Sequence, residues 1–158
     1  MLKIKILCVG KIKEKYFAEA VSEYVKRISR FAEITVKEIK EENFTTDPSP
    51  LEAEKIIATE GEGLLKELKG HVICLAVEGK KLSSEKLAEK IKGLKDRGDG
   101  EITFVIGGSY GISPAVKAKA NELISFSDMT FPHTLARVIL VEQIYRAFMI
   151  CSGAKYHK

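Results

Sequence analysis

Few side chains in this sequence of 158 residues are of a kind that does chemistry. The histidines are His71, His133 and His157, and the cysteines are Cys8, Cys74 and Cys151. No cysteine stands in a CxxC or other metal-ligand spacing, and no serine, histidine and acid are spaced as a hydrolytic triad, so no metal site and no such triad is expected. Each cysteine lies in an apolar run, which reads as reduced core thiols in a cytoplasmic protein. His71 opens an apolar segment and reads as structural. His133 follows Pro132 at a helix start. His157 sits in the terminal Tyr156-His157-Lys158, whose aromatic, imidazole and ammonium groups suit stacking on a base and contact with phosphate. A frayed tail is the plainer alternative.

The remaining candidate is Gly107-Gly108-Ser109-Tyr110-Gly111. It matches neither the GxxxxGK-Ser/Thr phosphate loop nor GxGxxG, and the acidic residue that a nicotinamide site carries at a strand end is missing. Its glycines permit close backbone approach and positive φ, which serves a binding loop or a simple tight turn equally.

Alternating elements must position these groups. Leu2 to Val9 alternates polar and apolar as a strand, and Tyr16, Phe17, Ala20, Val21, Tyr24 and Ile28 recur at helical spacing. Ile34, Val36 and Ile39 mark a second strand, and Glu41 to Pro50 is a polar loop. Ser49, Pro50 and Glu52 form an N-cap, N1 and N3 set that opens a helix to about Leu68. Val72 to Val77 and Ile102 to Ile106 are continuous apolar runs, the mark of strands covered on both faces. Between them lies a short helix carrying Leu87, Ile91 and Leu94. Ser113 and Pro114 start another short helix, ending near Asn121. Leu123 to Phe126 is the fifth strand and Thr134 to Ile150 the last helix. Strand and helix in alternation predict one α/β domain, 1–158, with a largely parallel sheet. Ligands of such sheets sit at the carboxyl ends of the strands. Three loops converge there: Val77 to Leu82, Gly107 to Gly111, and Ser127 to His133.

A hydrophobic fraction of 45% and a charged fraction of 30% exclude a mainly disordered chain. The net charge of +4 is uneven: residues 1–31 carry +5, 32–70 carry −5, 71–130 carry +1 and 131–158 carry +3. If the two ends meet, they form a basic face. The last helix has no wide polar side, because Leu135, Ala136, Val138, Ile139, Leu140, Val141, Ile144, Tyr145, Ala147, Phe148 and Ile150 surround its axis. Either the core encloses it or a second copy covers one face, and a homodimer built on this helix is expected. Arg137, Glu142, Gln143 and Arg146 within it oppose a bilayer span.

Phe104 to Gly111, Ser125 to His133, Val141 to Ala147 and Tyr156 to Lys158, in that order and with Val9-Gly10-Lys11-Ile12-Lys13 near the start, resemble the RlmH (YbeA) family across the whole chain. The resemblance implies a small SPOUT-class methyltransferase with a Rossmann-like parallel sheet, a C-terminal trefoil knot and a homodimeric state. It implies methyl transfer from S-adenosylmethionine to N3 of a pseudouridine in large-subunit ribosomal RNA, with ribosomal RNA or the assembled ribosome as partner. The implied cofactor contacts are Leu75, Gly107, Phe126, Ser127, Asp128, Met129, Thr130 and Phe131. His133, Tyr156 and His157 are the expected catalytic groups, orienting the base or accepting its proton, with the tail supplied by either subunit. Arg137, Arg146, Lys155 and Lys158 are expected to hold RNA phosphates. A ribosome-associated RNA-binding protein without chemistry is the alternative.

Overall fold

The structure, a computed structural model, describes residues 1–42 and 47–158. Residues 43–46, in the loop expected from Glu41 to Pro50, lie outside the described residues. Five strands, β1 (Lys3–Val9), β2 (Glu33–Ile39), β3 (His71–Lys81), β4 (Glu101–Ile106) and β5 (Glu122–Ser125), form one parallel sheet in the order β2-β1-β4-β3-β5. The helices are α1 (Lys15–Ile28), α2 (Pro50–Glu67), α3 (Ser84–Asp96), α4 (Pro114–Lys119) and α5 (His133–Cys151).

The apolar residues of β1, β3 and β4 place one set of side chains on each face. Ile4, Ile6 and Cys8 of β1, Ile73 of β3, and Ile102, Phe104 and Ile106 of β4 meet α1, α3 and α5, whose contributions include Val21, Leu87, Ile91, Leu140, Ile144 and Phe148. Leu7, Val9, Val72, Cys74 and Val105 face the other way, onto Leu64 of α2 and Val116 of α4. The result is a sheet between two helical layers, with edge strand β2 the least covered of the longer strands.

The Ser49 and Ser113 side chains accept from the amides of Glu52 and Val116, and Pro50 and Pro114 open their helices. Both expected caps are present. β3 departs from expectation by running to Lys81 rather than Val77. Its pairing with β5 shifts register, so that Ile124 is opposite both Leu75 and Lys80. Gly79 permits this crossing: a Cβ there would stand 2.6 Å from the Ile124 backbone.

α5 buries a single stripe, Arg137, Leu140, Val141, Ile144, Ala147 and Phe148, and leaves Leu135, Val138, Ile139 and Met149 half-buried. The chain ends do meet. Tyr145 of α5 packs near Tyr24 of α1 and edge-on against Tyr156, with ring centroids 6.1 and 4.9 Å apart, and Arg27 lies over Tyr24 and Tyr145. Cys8 and Cys74 are core thiols as expected, whereas Cys151 is exposed because it is the last residue of α5 and lies outside the helix's buried stripe.

Candidate functional site

A cavity of about 650 Å³ opens at the carboxyl ends of β3, β4 and β5. Its walls come from the three loops expected to converge there. The glycine loop turns through a Gly111 amide donating to the Gly108 carbonyl at 3.1 Å, with Gly111 at φ +102°. A Cβ on Gly107 would stand 2.7 Å from the Gly111 carbonyl, so the fold requires glycine there, and its backbone forms part of the wall. After β5, the Ser125 hydroxyl donates to the Ser127 carbonyl and accepts from the Ser127 amide, while the Met129 amide donates to the Ser127 hydroxyl. These bonds shape the third loop. Val77, Tyr110 and Met129, one from each loop, are exposed apolar side chains.

Of the expected cofactor contacts, Leu75, Gly107, Phe126, Ser127, Met129, Thr130 and Phe131 line the cavity. Asp128 does not: its carboxylate turns outward onto the Lys81 ammonium, because the serine-bonded turn directs it to solvent. His133 lines the cavity from the first turn of α5, and its Nδ1 is buried without a hydrogen-bond partner among the described residues.

Tyr156 and His157 lie elsewhere. The Tyr156 hydroxyl donates to Glu142 at 3.2 Å, and burial, then Tyr24 and Glu142, push its pKa up. Arg146 donates to His157 Nδ1 at 3.1 Å, so His157 Nε2 is left to donate to Glu85 at 2.5 Å. Neither side chain lines the cavity of its own chain. Arg146 is also held by Glu142 and sits 4.8 Å over the Tyr156 ring. Lys155 and Lys158 are exposed.

Arg137 corrects the sequence expectation. It is 2% exposed, and its guanidinium donates to Glu38 at 2.7 Å and to the Gly10 carbonyl at 3.0 Å. A buried side chain engaged this way ties α5 to the ends of β1 and β2 and is unavailable to phosphates. His71 is structural as expected: it meets Glu122 at 2.6 Å, and Glu122 also receives Lys90.

Three residues escaped the sequence reading. Glu78 and Lys117 line the cavity and pair with each other. Lys117 stands one helical turn after Pro114, a spacing that carries it back toward the glycine loop. Glu60 is 3% exposed beneath Gly108, with Oε1 unpartnered among the described residues and Oε2 accepting from the Glu42 amide at 3.1 Å. Its place at helical spacing between Ile56 and Leu64 was the available signal. Among the described residues no cluster of His, Cys, Asp and Glu is placed to hold a metal, and no helix is long and apolar enough to cross a membrane.

Residues 2–157 match the family described as predicted SPOUT methyltransferase. A protein of Lactobacillus acidophilus named ribosomal RNA large subunit methyltransferase H is 50% identical over 99% of this chain and all of its own length. One of the same name from Streptococcus gordonii is 48% identical over the same shares. Among solved structures, a methylase-family protein of Haemophilus influenzae superposes with a TM-score of 0.55 at 14% identity, over 98% of this chain and 70% of that one, a likeness of fold.

Proposed function

The chain belongs to the SPOUT methyltransferase family, and from that premise we propose that it is an S-adenosylmethionine-dependent enzyme that methylates N3 of a pseudouridine in large-subunit ribosomal RNA. The observation that carries this reading is the cavity, where an apolar wall, the glycine-loop backbone and the His133 side chain meet at the strand ends. These residues fit the cofactor. Leu75, Phe126 and Phe131 offer apolar faces to adenine, and Gly107 lets the backbone approach. Lys117 is paired with Glu78, so a sulfonium would meet no uncompensated cation.

S-Adenosylmethionine, when bound, supplies an electrophilic methyl group open to in-line displacement. The chain's own task is to orient the base and to take the N3 proton. His133 is proposed for the proton, because it lines the cavity from the first turn of α5 and its Nδ1 has no protein partner among the described residues. The reading includes a single domain, 1–158, with a trefoil knot, acting in the cytoplasm as a homodimer. The half-buried Leu135, Val138, Ile139 and Met149 of α5 are the surface proposed to meet the second copy. In that dimer Tyr156 and His157 serve the partner's cavity, and Arg146, Lys155 and Lys158 hold RNA phosphates.

The test is transfer of labelled methyl to ribosomes lacking the modification, with the product base identified by mass spectrometry, alongside calorimetry of S-adenosylmethionine and light scattering. Labelling at N3 of a pseudouridine by a dimer is the expected result. No labelling of either ribosomes or free ribosomal RNA, by protein that binds S-adenosylmethionine, would overturn the substrate assignment. No binding of S-adenosylmethionine would overturn the cofactor.

A further inference from the structure

Among the described residues that line the cavity, only Glu78 and Lys117 carry a full formal charge, and they have opposite signs. Lys117 reaches across from α4 to Glu78 in the extended crossing of β3, and the two side chains pair at the cavity wall. Their side chains are 55% and 30% exposed, for Glu78 and Lys117 respectively, so the pair is a solvated one that stabilises the fold little and opens easily. Lys117 draws the Glu78 carboxyl below the ordinary glutamate range, keeping it ionised. Neighbouring wall residues, among them Ile106, Ile112, Ile124 and Phe126, are apolar.

A charged pair in an apolar wall fits a ligand that itself bears both signs a few ångströms apart. Resting on the cofactor reading above, we infer that Lys117 and Glu78 hold the amino-acid end of S-adenosylmethionine, the Lys117 ammonium taking its carboxylate and the Glu78 carboxylate its α-ammonium. One protein ion pair opens and two to the ligand form, so the net charge of the wall is unchanged.

Binding of three analogues to the full chain separates this role from a structural one. S-Adenosylhomocysteine keeps both charges, decarboxylated S-adenosylmethionine keeps only the amine, and 5′-methylthioadenosine keeps neither. The expectation is that Lys117→Met weakens S-adenosylhomocysteine about tenfold, the size of a lost charge-assisted hydrogen bond. The same change leaves 5′-methylthioadenosine and decarboxylated S-adenosylmethionine within about twofold of the parent, because neither uses Lys117. Glu78→Gln weakens both amine-bearing ligands and spares 5′-methylthioadenosine. Equal losses for all three ligands, or none, would refute the inference while leaving the cofactor reading intact. The parent protein alone gives a second check, since binding 5′-methylthioadenosine as tightly as S-adenosylhomocysteine also refutes it. If no adenosyl compound binds, the cofactor reading falls and this inference with it.

Discussion

Replacing Arg137 by alanine removes a guanidinium that is 2% exposed, its 2.7 Å contact with Glu38 and its 3.0 Å contact with the Gly10 carbonyl. Breaking a buried ion pair costs about 3–5 kcal/mol, most of it from the charge left behind. Here the residue left behind is Glu38, 36% exposed and able to regain water, so the lower end applies. The carbonyl of Gly10 loses a donor, a further cost of about 1 kcal/mol. Together these give about 4 kcal/mol, and at about 2–4 °C per kcal/mol for a chain of this size the expected fall in Tm is about 8–16 °C. Urea unfolding followed by circular dichroism measures it, and a cycle with Glu38→Gln should return a coupling of about 1–3 kcal/mol. Ribosomal RNA binding by the folded variant should keep the parent's dependence on salt. The reasoning is refuted if the variant unfolds within about 2 °C of the parent and its log–log salt slope falls by about one phosphate contact, for then Arg137 faces RNA.

Gly79→Ala puts a Cβ against the Ile124 backbone and should destabilise by about 2–3 kcal/mol, with hydrogen exchange rising first at residues 122–125; unchanged exchange there would count against the crossing. Burial of Glu60, outweighing the Glu42 amide, raises its carboxyl pKa, so the stability it gives is full below the ordinary value of 4.5 and is lost as pH rises through the raised native value. Glu60→Gln should therefore gain stability on the parent as pH climbs through that window, and a pH-independent difference would contradict it. Burial lifts the Cys8 and Cys74 thiols to about 11, so at pH 8 iodoacetamide should leave both unmodified until the protein is unfolded, read by peptide mass spectrometry. Labelling of either in the native protein would refute their burial. Lys155→Ala with Lys158→Ala should leave Tm within about 1 °C, because neither is buried, and lower the salt slope of RNA binding by about 1.4.

What the sequence made legible follows the range of the interactions. Caps at Ser49 and Ser113 act over three residues, and the apolar patterns of β1 and β4 report their own burial, so both were readable locally. The second half of β3 was not, because Lys80 and Lys81 are polar and extend only by pairing with Ile124 and Ser125, more than 40 residues away. A separation of 39 residues likewise hid the Glu78–Lys117 pair. Arg137 was misassigned for another reason. It shares the stripe of Leu140, Val141, Ile144 and Phe148, and a cation on a buried stripe signals an internal partner before it signals RNA. Most cavity residues came through the family resemblance, since composition and periodicity locate the loops but not the side chains that face inward.

The placement of β1 between β2 and β4 bears on the birth of the molecule. β2 follows β1 closely and can pair as soon as it emerges, whereas β4 begins at Glu101, about 90 residues after Val9. At about 5–20 residues per second of synthesis, one long edge of Ile4, Ile6 and Cys8 waits about 5–20 s for its partner. During that interval a nascent chain presents an apolar strand with free amides and carbonyls, the kind of edge that recruits stray strands. Translation speed across residues 40–100 is therefore a determinant of yield, and slowing it should favour capture of the nascent chain by holding chaperones.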